Sequence, residues 1–254
     1  MEVENISVII SGGASGMGAA VARFLAARGM KIAILDIDNS SGEKIAKKIN
    51  GLYISCDITH KEKTQQALQE CEAQQGTARV CINCAGIAPS KRMIGKEGLL
   101  PLEEFRRVID IDLIGTFNLM QLAAANMMKL DTVNDSGERG VIINTASIAA
   151  YEGQIGQTAY SAAKAGVVGL TLPAARELAS SGIRVMTIAP GLVDTSLFEK
   201  ISTEARLALM NSVPFPKRLA RPEEFASLVL HIIQNPMLNG ETIRLDGALR
   251  MAPK

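Results

Sequence analysis

The feature that most constrains this chain is a regular alternation of short β-branched runs with alanine-rich or amphipathic helical segments. ISVIISGG (6–13) reads as a strand running into glycine, and GMGAAVARFLAARG (16–29) as a helix with Gly29 as its stop signal. KIAILD (31–36) is a second strand, SGEKIAKKIN (41–50) a helix, GLYISCDIT (51–59) a third strand and KEKTQQALQECEAQQ (61–75) another helix. Strand ARVCINCAG (78–86) follows, then one helix containing Leu102 to Met128, and then GVIINTAS (140–147). That last run lacks polar alternation, as expected of a strand covered on both faces. Helix AYSAAKAGVVGLTLPAARELAS (159–180), strand IRVMTIAPG (183–191), helix PEEFASLVLHIIQ (222–234) and strand ETIRLDG (241–247) complete the chain.

About seven strands interleaved with about six helices predict an α/β fold: a single doubly wound Rossmann-type domain over 1–254 with a mostly parallel sheet. With 254 residues, 47% of them apolar, the chain can bury a core of that size. DTVNDSGERG (131–140) is expected to be a surface loop, not a linker.

Ligands of open α/β sheets bind at the carboxyl ends of the strands, so the residues there carry the functional expectation. After the first strand, Gly12, Ser15, Gly16, Met17 and Gly18 form a glycine turn that opens a helix. Glycines permit a tight turn and let backbone N–H groups approach a pyrophosphate at a helix N-terminus. A glycine cluster alone equally describes a structural turn. Asp36, ending the next strand eighteen residues beyond Gly18, adds the acid expected to receive the hydroxyls of a ribose, unless it is merely solvated. Its charge would repel a 2′-phosphate, and the turn holds no Lys or Arg, so the expected cofactor is NAD, not NADP. Asp57 and Ile58 end the third strand, where they would receive an adenine, although Asp57 or Thr59 could instead cap the following helix. Asn83, Cys84, Ala85 and Gly86 end the fourth, with small side chains suited to close approach of the cofactor.

Tyr160 and Lys164 share one face of a helix, one turn apart, and Ser147 ends the strand thirteen residues before Tyr160. A tyrosine is a poor base near neutrality, and a neighbouring ammonium favours its phenolate. Tyr160 is therefore the candidate acid–base group, Lys164 its tuner and Ser147 the group that holds a substrate oxygen. A half-buried tyrosine beside a snorkelling lysine, with a strand-end turn serine, is the bland alternative.

Together these residues resemble the short-chain dehydrogenase/reductase family over nearly the full length. Its T-G-x-x-x-G-x-G stands here as Ser11 to Gly18, its N-N-A-G as Asn83 to Gly86, its Ser and Y-x-x-x-K as Ser147, Tyr160 and Lys164, and its P-G-x-x-x-T as Pro190 to Thr195. The resemblance implies NAD-linked oxidation of a secondary alcohol, with Pro190, Val193 and Thr195 beside the nicotinamide and a mobile substrate lid around 192–219. The runs GVIINTASIAAYEGQIGQTAYSAAKAG, GIRVMTIAPGL and LNGETIRLDGALRM are similar to the branch of the family that oxidises short-chain 3-hydroxyacyl-CoA, whose relatives also accept hydroxysteroids or branched acyl-CoA. An acyl-CoA substrate, with a hydroxysteroid or other alcohol as the alternative, and a homotetramer are what that similarity implies. One position departs: the family's N-L-x-G-T-F is D-L-I-G-T-F here, placing Asp112 where an asparagine supports the proton relay to the lysine. A carboxylate beside Lys164 alters the tuning in a direction the sequence leaves open, and a catalytically weakened NAD-binding scaffold is the reading that follows if it disrupts turnover.

The loop after N-C-A-G carries Lys91, Arg92 and Lys96, suited to the phosphates of coenzyme A or merely to solvent, with Glu97 diluting the charge. Gln154 and Gln157 are candidates to line the substrate pocket or to form a polar loop. The net charge of +1, from 27 basic and 26 acidic residues, favours neither nucleic acid nor an anionic membrane. Cys56, Cys71, Cys81 and Cys84 read as reduced core thiols, and no metal site is expected. MEVENISVII lacks the basic region of a secretory signal, and no run approaches about 18 uninterrupted apolar residues. A cytoplasmic protein is expected, or one of the mitochondrial matrix.

Overall fold

A computed structural model describes residues 1–96, 98–195 and 202–253. Seven strands form one all-parallel sheet: β1 (Ser7–Ser11), β2 (Lys31–Asp36), β3 (Leu52–Ser55), β4 (Val80–Asn83), β7 (Gly140–Thr145), β8 (Ile183–Pro190) and β9 (Thr242–Leu245). Their order is β3-β2-β1-β4-β7-β8-β9. The chain winds outward one way from β1 and then the other way from β4, so the connections diverge between these two strands and open a crevice at their carboxyl ends. Two short strands, β5 (Ile94–Gly95) and β6 (Gly98–Leu99), pair separately as an antiparallel ribbon in the basic loop.

Helices cover both faces. On one, α1 (Gly16–Ala26), α2 (Asn39–Ile49) and α8 (Pro222–Gln234) bury Leu25, Ile45 and Phe225 against Ile10, Ile34 and Ile143. On the other, α3 (Lys61–Gln75), α5 (Thr116–Met127) and α6 (Thr158–Ala179) bury Leu68, Leu119 and Ala175 against Ile9, Leu35 and Ile142. The central strands β1, β4, β7 and β8 are buried throughout, which is why their sequences carry no polar alternation.

The expected single helix from Leu102 to Met128 is interrupted. It consists of α4 (Leu102–Ile109), a π-helical turn at Asp110–Gly115 and α5. By length and composition Leu102–Met127 is apolar enough to span a bilayer, but half of its most apolar stretch is buried within the fold. The widened turn carries Asp112 into the interior, and Gly115 lets the helix press on Ile58, where a Cβ would come within 2.9 Å of that side chain. In the segment read as a lid, α7 (Thr203–Ser212) is a helix that sequence periodicity did not reveal, and 196–201 lie outside the described residues, as does Glu97.

The amino-terminal edge of the sheet is pinned by a buried charge. Arg184, at the start of β8, donates from Nε and Nη2 to Glu138 Oε1 at 2.9 and 2.8 Å, and to the carbonyls of Ile232, Ile233 and Leu238. Both side chains are buried, and Glu138 also faces the Met1 amine at 3.5 Å, so losing its carboxylate leaves buried positive charge uncompensated. Glu138→Gln is expected to lower unfolding stability by about 3 kcal/mol, read by denaturant titration. Because the pair lies at the strand end opposite the crevice, dinucleotide affinity of the folded variant should be unchanged.

Candidate active site

The crevice between β1 and β4 is a cleft of about 330 Å³. Gly12, Ser15, Gly16, Met17 and Gly18 form one wall, Asp36, Asp57 and Ile58 a second, and Cys84, Ala85 and Gly86 a third. Gly12 and Gly16 have φ of +66° and +52°, left-handed conformations that glycine adopts at low cost. A Cβ on Gly12 would lie 2.5 Å from the Ala85 nitrogen, and one on Gly18 would overlap the Gly12 carbonyl. The glycines therefore fit the two turns together and leave backbone facing the cleft at the start of α1. These features suit a pyrophosphate.

Asp36 is tied on both oxygens, accepting from Ala14 N at 2.9 Å and from Asp38 N at 3.1 Å. It thus holds the glycine turn while presenting its charge to the cleft. Asp57 accepts from the backbone and hydroxyl of Thr59 at 3.0 and 2.7 Å. Burial acts to raise its pKa, but those bonds prevail and hold it below the usual carboxylate value. Neither residue caps the next helix, because His60 occupies the N-cap without a side-chain bond.

Asn83 does not line the cleft. It lies beneath it, its Nδ2 donating to Asn144 Oδ1 at 2.9 Å and its Oδ1 accepting from Ser11 Oγ at 3.4 Å. Cys84 does line it, and burial pushes its thiol up to about 11 and that of Cys81 to about 12. Both thiols are protonated and poor nucleophiles near neutrality. All four cysteines are free, and among the described residues no three His, Cys, Asp or Glu cluster as metal ligands. Arg107 and Ile111, four residues apart across the end of α4, also wall the cleft. The sequence reading passed over them; their helical i,i+4 spacing was the available signal.

A second cavity of about 100 Å³ adjoins the first through shared walls, Met17 and Thr195. It is lined by Ser147, Tyr160, Pro190 and Val193, which come from the turn after β7, α6, and the end of β8 with the segment after it. Ser147 Oγ accepts from Ala149 N at 3.1 Å, which leaves its hydroxyl hydrogen to donate elsewhere.

Lys164 lies behind this cavity, buried, its Nζ 5.7 Å from the centroid of the Tyr160 ring. Nζ donates to the Thr145 carbonyl at 3.0 Å and stands 3.2 Å from Asp112 Oδ2. The other Asp112 oxygen accepts from Ile87 N at 2.8 Å. Burial works against the Lys164 ammonium, but Asp112 and then Tyr160 outweigh it and its pKa is raised. Burial dominates at Asp112, whose pKa is raised although Lys164 and the Ile87 N–H oppose the shift. The opposed costs make this one coupled pair. Gly86 separates it from the cleft, since a Cβ there would meet Asp112 Oδ2 at 3.2 Å and Lys164 Nζ at 3.3 Å.

Two substrate-side candidates make side-chain bonds of their own. Gln157 lines neither cavity; its Oε1 accepts from Gln154 N at 3.0 Å, closing the turn before α6. Lys91 pairs with Glu104 at 2.6 Å at the surface, with both side chains largely exposed. Arg92 and Gln154 instead line an open groove of about 440 Å³ with Met93, Ile94 and Ile155.

The model of the short chain dehydrogenase family matches residues 7–206. The 3-hydroxyacyl-CoA dehydrogenase type-2 of Homo sapiens is 49% identical, covering 99% of this chain and 97% of that protein. Its namesake in Drosophila melanogaster is 45% identical over 99% of this chain and the whole of that protein. The crystal structure of 3-hydroxyacyl-CoA dehydrogenase type-2 from Mycobacterium avium superposes with a TM-score of 0.94 at 41% identity, covering 99% and 98% of the two chains. Gly12→Ala should weaken dinucleotide binding by about tenfold or more without unfolding the chain, since the added Cβ meets backbone at a positive φ. Fluorescence titration and a melting curve check both halves.

Proposed function

The chain belongs to the short-chain dehydrogenase family and is an oxidoreductase of a small-molecule substrate; from that premise we propose that it oxidises a short-chain 3-hydroxyacyl-CoA to the 3-ketoacyl-CoA with NAD. The observation that carries the proposal is the junction of the two cavities at Met17 and Thr195, which sets the glycine-walled cleft against Ser147 and Tyr160. Relatives matching over nearly the whole chain are named for that substrate.

NAD fits the cleft: the glycine turn takes its pyrophosphate, Asp36 its adenosine ribose, and Asp57 with Ile58 its adenine. The Asp36 charge disfavours a 2′-phosphate. Pro190, Val193 and Thr195 would hold the nicotinamide end, and the cofactor would supply the hydride acceptor for the alcohol carbon. Ser147 donates its free hydroxyl hydrogen to the substrate oxygen. Tyr160 takes the hydroxyl proton, and the Lys164 ammonium stabilises the phenolate that receives it.

The open groove by Arg92 is suited to the coenzyme A portion, its cation to a phosphate and Met93 with Ile94 to the pantetheine arm. The candidate lid of the single domain is segment 192–219, of which 196–201 lie outside the described residues. The exposed apolar residues Ile114, Phe117, Leu172 and Met237 suit burial in a homotetramer. The free thiols suit a reducing compartment, the cytoplasm or the mitochondrial matrix.

NADH formation across a panel of 3-hydroxyacyl-CoA, hydroxysteroid and polyol substrates tests the reading. The highest kcat/KM is expected for the acyl-CoA. Preference for another alcohol would reassign the substrate, and silence with measurable NAD binding would mark a binding scaffold. Tyr160→Phe should cut turnover by about a thousandfold with NAD affinity unchanged. NADP should bind at least about a hundredfold more weakly than NAD in calorimetric titration.

A further inference from the structure

Resting on the proposed role of Tyr160 as the base, we infer that Asp112 is a positioning residue that sets, through its direct contact with Lys164, the pH range over which Tyr160 exchanges its proton. The geometry leaves Lys164 little choice of anionic partner. Its Nζ is buried, donates to the neutral Thr145 carbonyl and stands 3.2 Å from Asp112 Oδ2, an oxygen with no aligned hydrogen-bond partner of its own. The π-helical turn is what brings a carboxylate to this depth, and the Ile87 N–H fixes its other oxygen.

The groups facing the pair come from every element around it. Lys164 and Tyr160 come from α6, the Thr145 carbonyl from the end of β7, and the Ile87 N–H and Cys84 thiol from the turn after β4. The Thr116 hydroxyl is spent on the Asp112 carbonyl at 2.8 Å. Burial pushes the Cys84 thiol up to about 11, so near neutrality the ionisable balance reduces to one carboxylate, one ammonium and one phenol.

A lone buried ammonium would act on Tyr160 with its full charge. Paired with Asp112 it acts as part of a dipole, whose field falls off faster with distance. Asp112 therefore weakens the support for the phenolate and moves proton exchange at Tyr160 to higher pH. The same carboxylate offsets the burial cost of the ammonium and keeps Lys164 charged at alkaline pH. Both effects displace the working window upward relative to a chain with a neutral residue at 112.

Tyrosinate absorbance tests this without any turnover. The chain has three tyrosines and no tryptophan, and burial holds Tyr53 above the usual phenol value. Subtracting the titration of Tyr160→Phe isolates the Tyr160 signal. In Asp112→Asn that signal should appear about one pH unit lower than in the parent, while Asp112→Glu, which keeps the charge, should stay close to the parent. Where turnover is measurable, both limbs of the pH–rate profile of Asp112→Asn should move down together. An Asp112→Asn titration coincident with the parent, with melting curves showing both folded, would overturn the inference. Absence of dehydrogenase activity would overturn the proposed function and leave this readout standing.

Discussion

Everything at the site rests on a polar connection buried inside the sheet. Ser11, Asn83 and Asn144 lie side by side at the ends of β1, β4 and β7, in register, and their side chains join the three strands. Ser11 Oγ also receives the Ala85 N–H at 3.4 Å, so the same hydroxyl ties the lock to the turn that walls the cleft. Polar groups this deep are affordable only when paired, and their pairing demands one strand register. That register puts the glycine turn, the Asn83–Gly86 turn and Ser147 at one level, from which the two cavities open.

Above that floor the chemistry depends on how burial divides charge. Asp36 faces the cleft with its side chain fixed by two backbone N–H groups. Lys164 keeps its ammonium in the interior because Asp112 faces it. One anion meets the ligand directly and the other is separated from it by Gly86, the residue whose missing side chain lets the pair lie against the cleft wall. The site thus carries one carboxylate open to the cleft and another concealed behind its wall.

Most of the sheet was legible in the sequence because apolar runs and helical spacing are local signals. KIAILD, KEKTQQALQECEAQQ and PEEFASLVLHIIQ have the boundaries that β2, α3 and α8 have. The glycine turn, Ser147 and Tyr160, which line the adjoining cavities, stood out in the sequence because they occur at short, regular spacings. What the sequence hid was set by tertiary contacts. The π-helical turn follows from packing Gly115 on Ile58 and holding Asp112 at Ile87, neither of which leaves a periodic trace. Asn83 read as a cofactor ligand because its place at a strand end was visible, while its partners on β1 and β7 were not. Gln157 and Lys91 likewise bond to neighbours that only the fold supplies. The basic loop was read by composition, and composition does not say which cation is already paired.

The central claim is that the two cavities together move a hydride directly from an alcohol carbon to a dinucleotide. A 3-hydroxyacyl-CoA carrying deuterium on carbon 3, oxidised by the protein with NAD and followed by mass spectrometry, tests it most directly. The account predicts one deuterium in each NADH formed. NADH free of deuterium, formed at the same rate as the ketone, would contradict it.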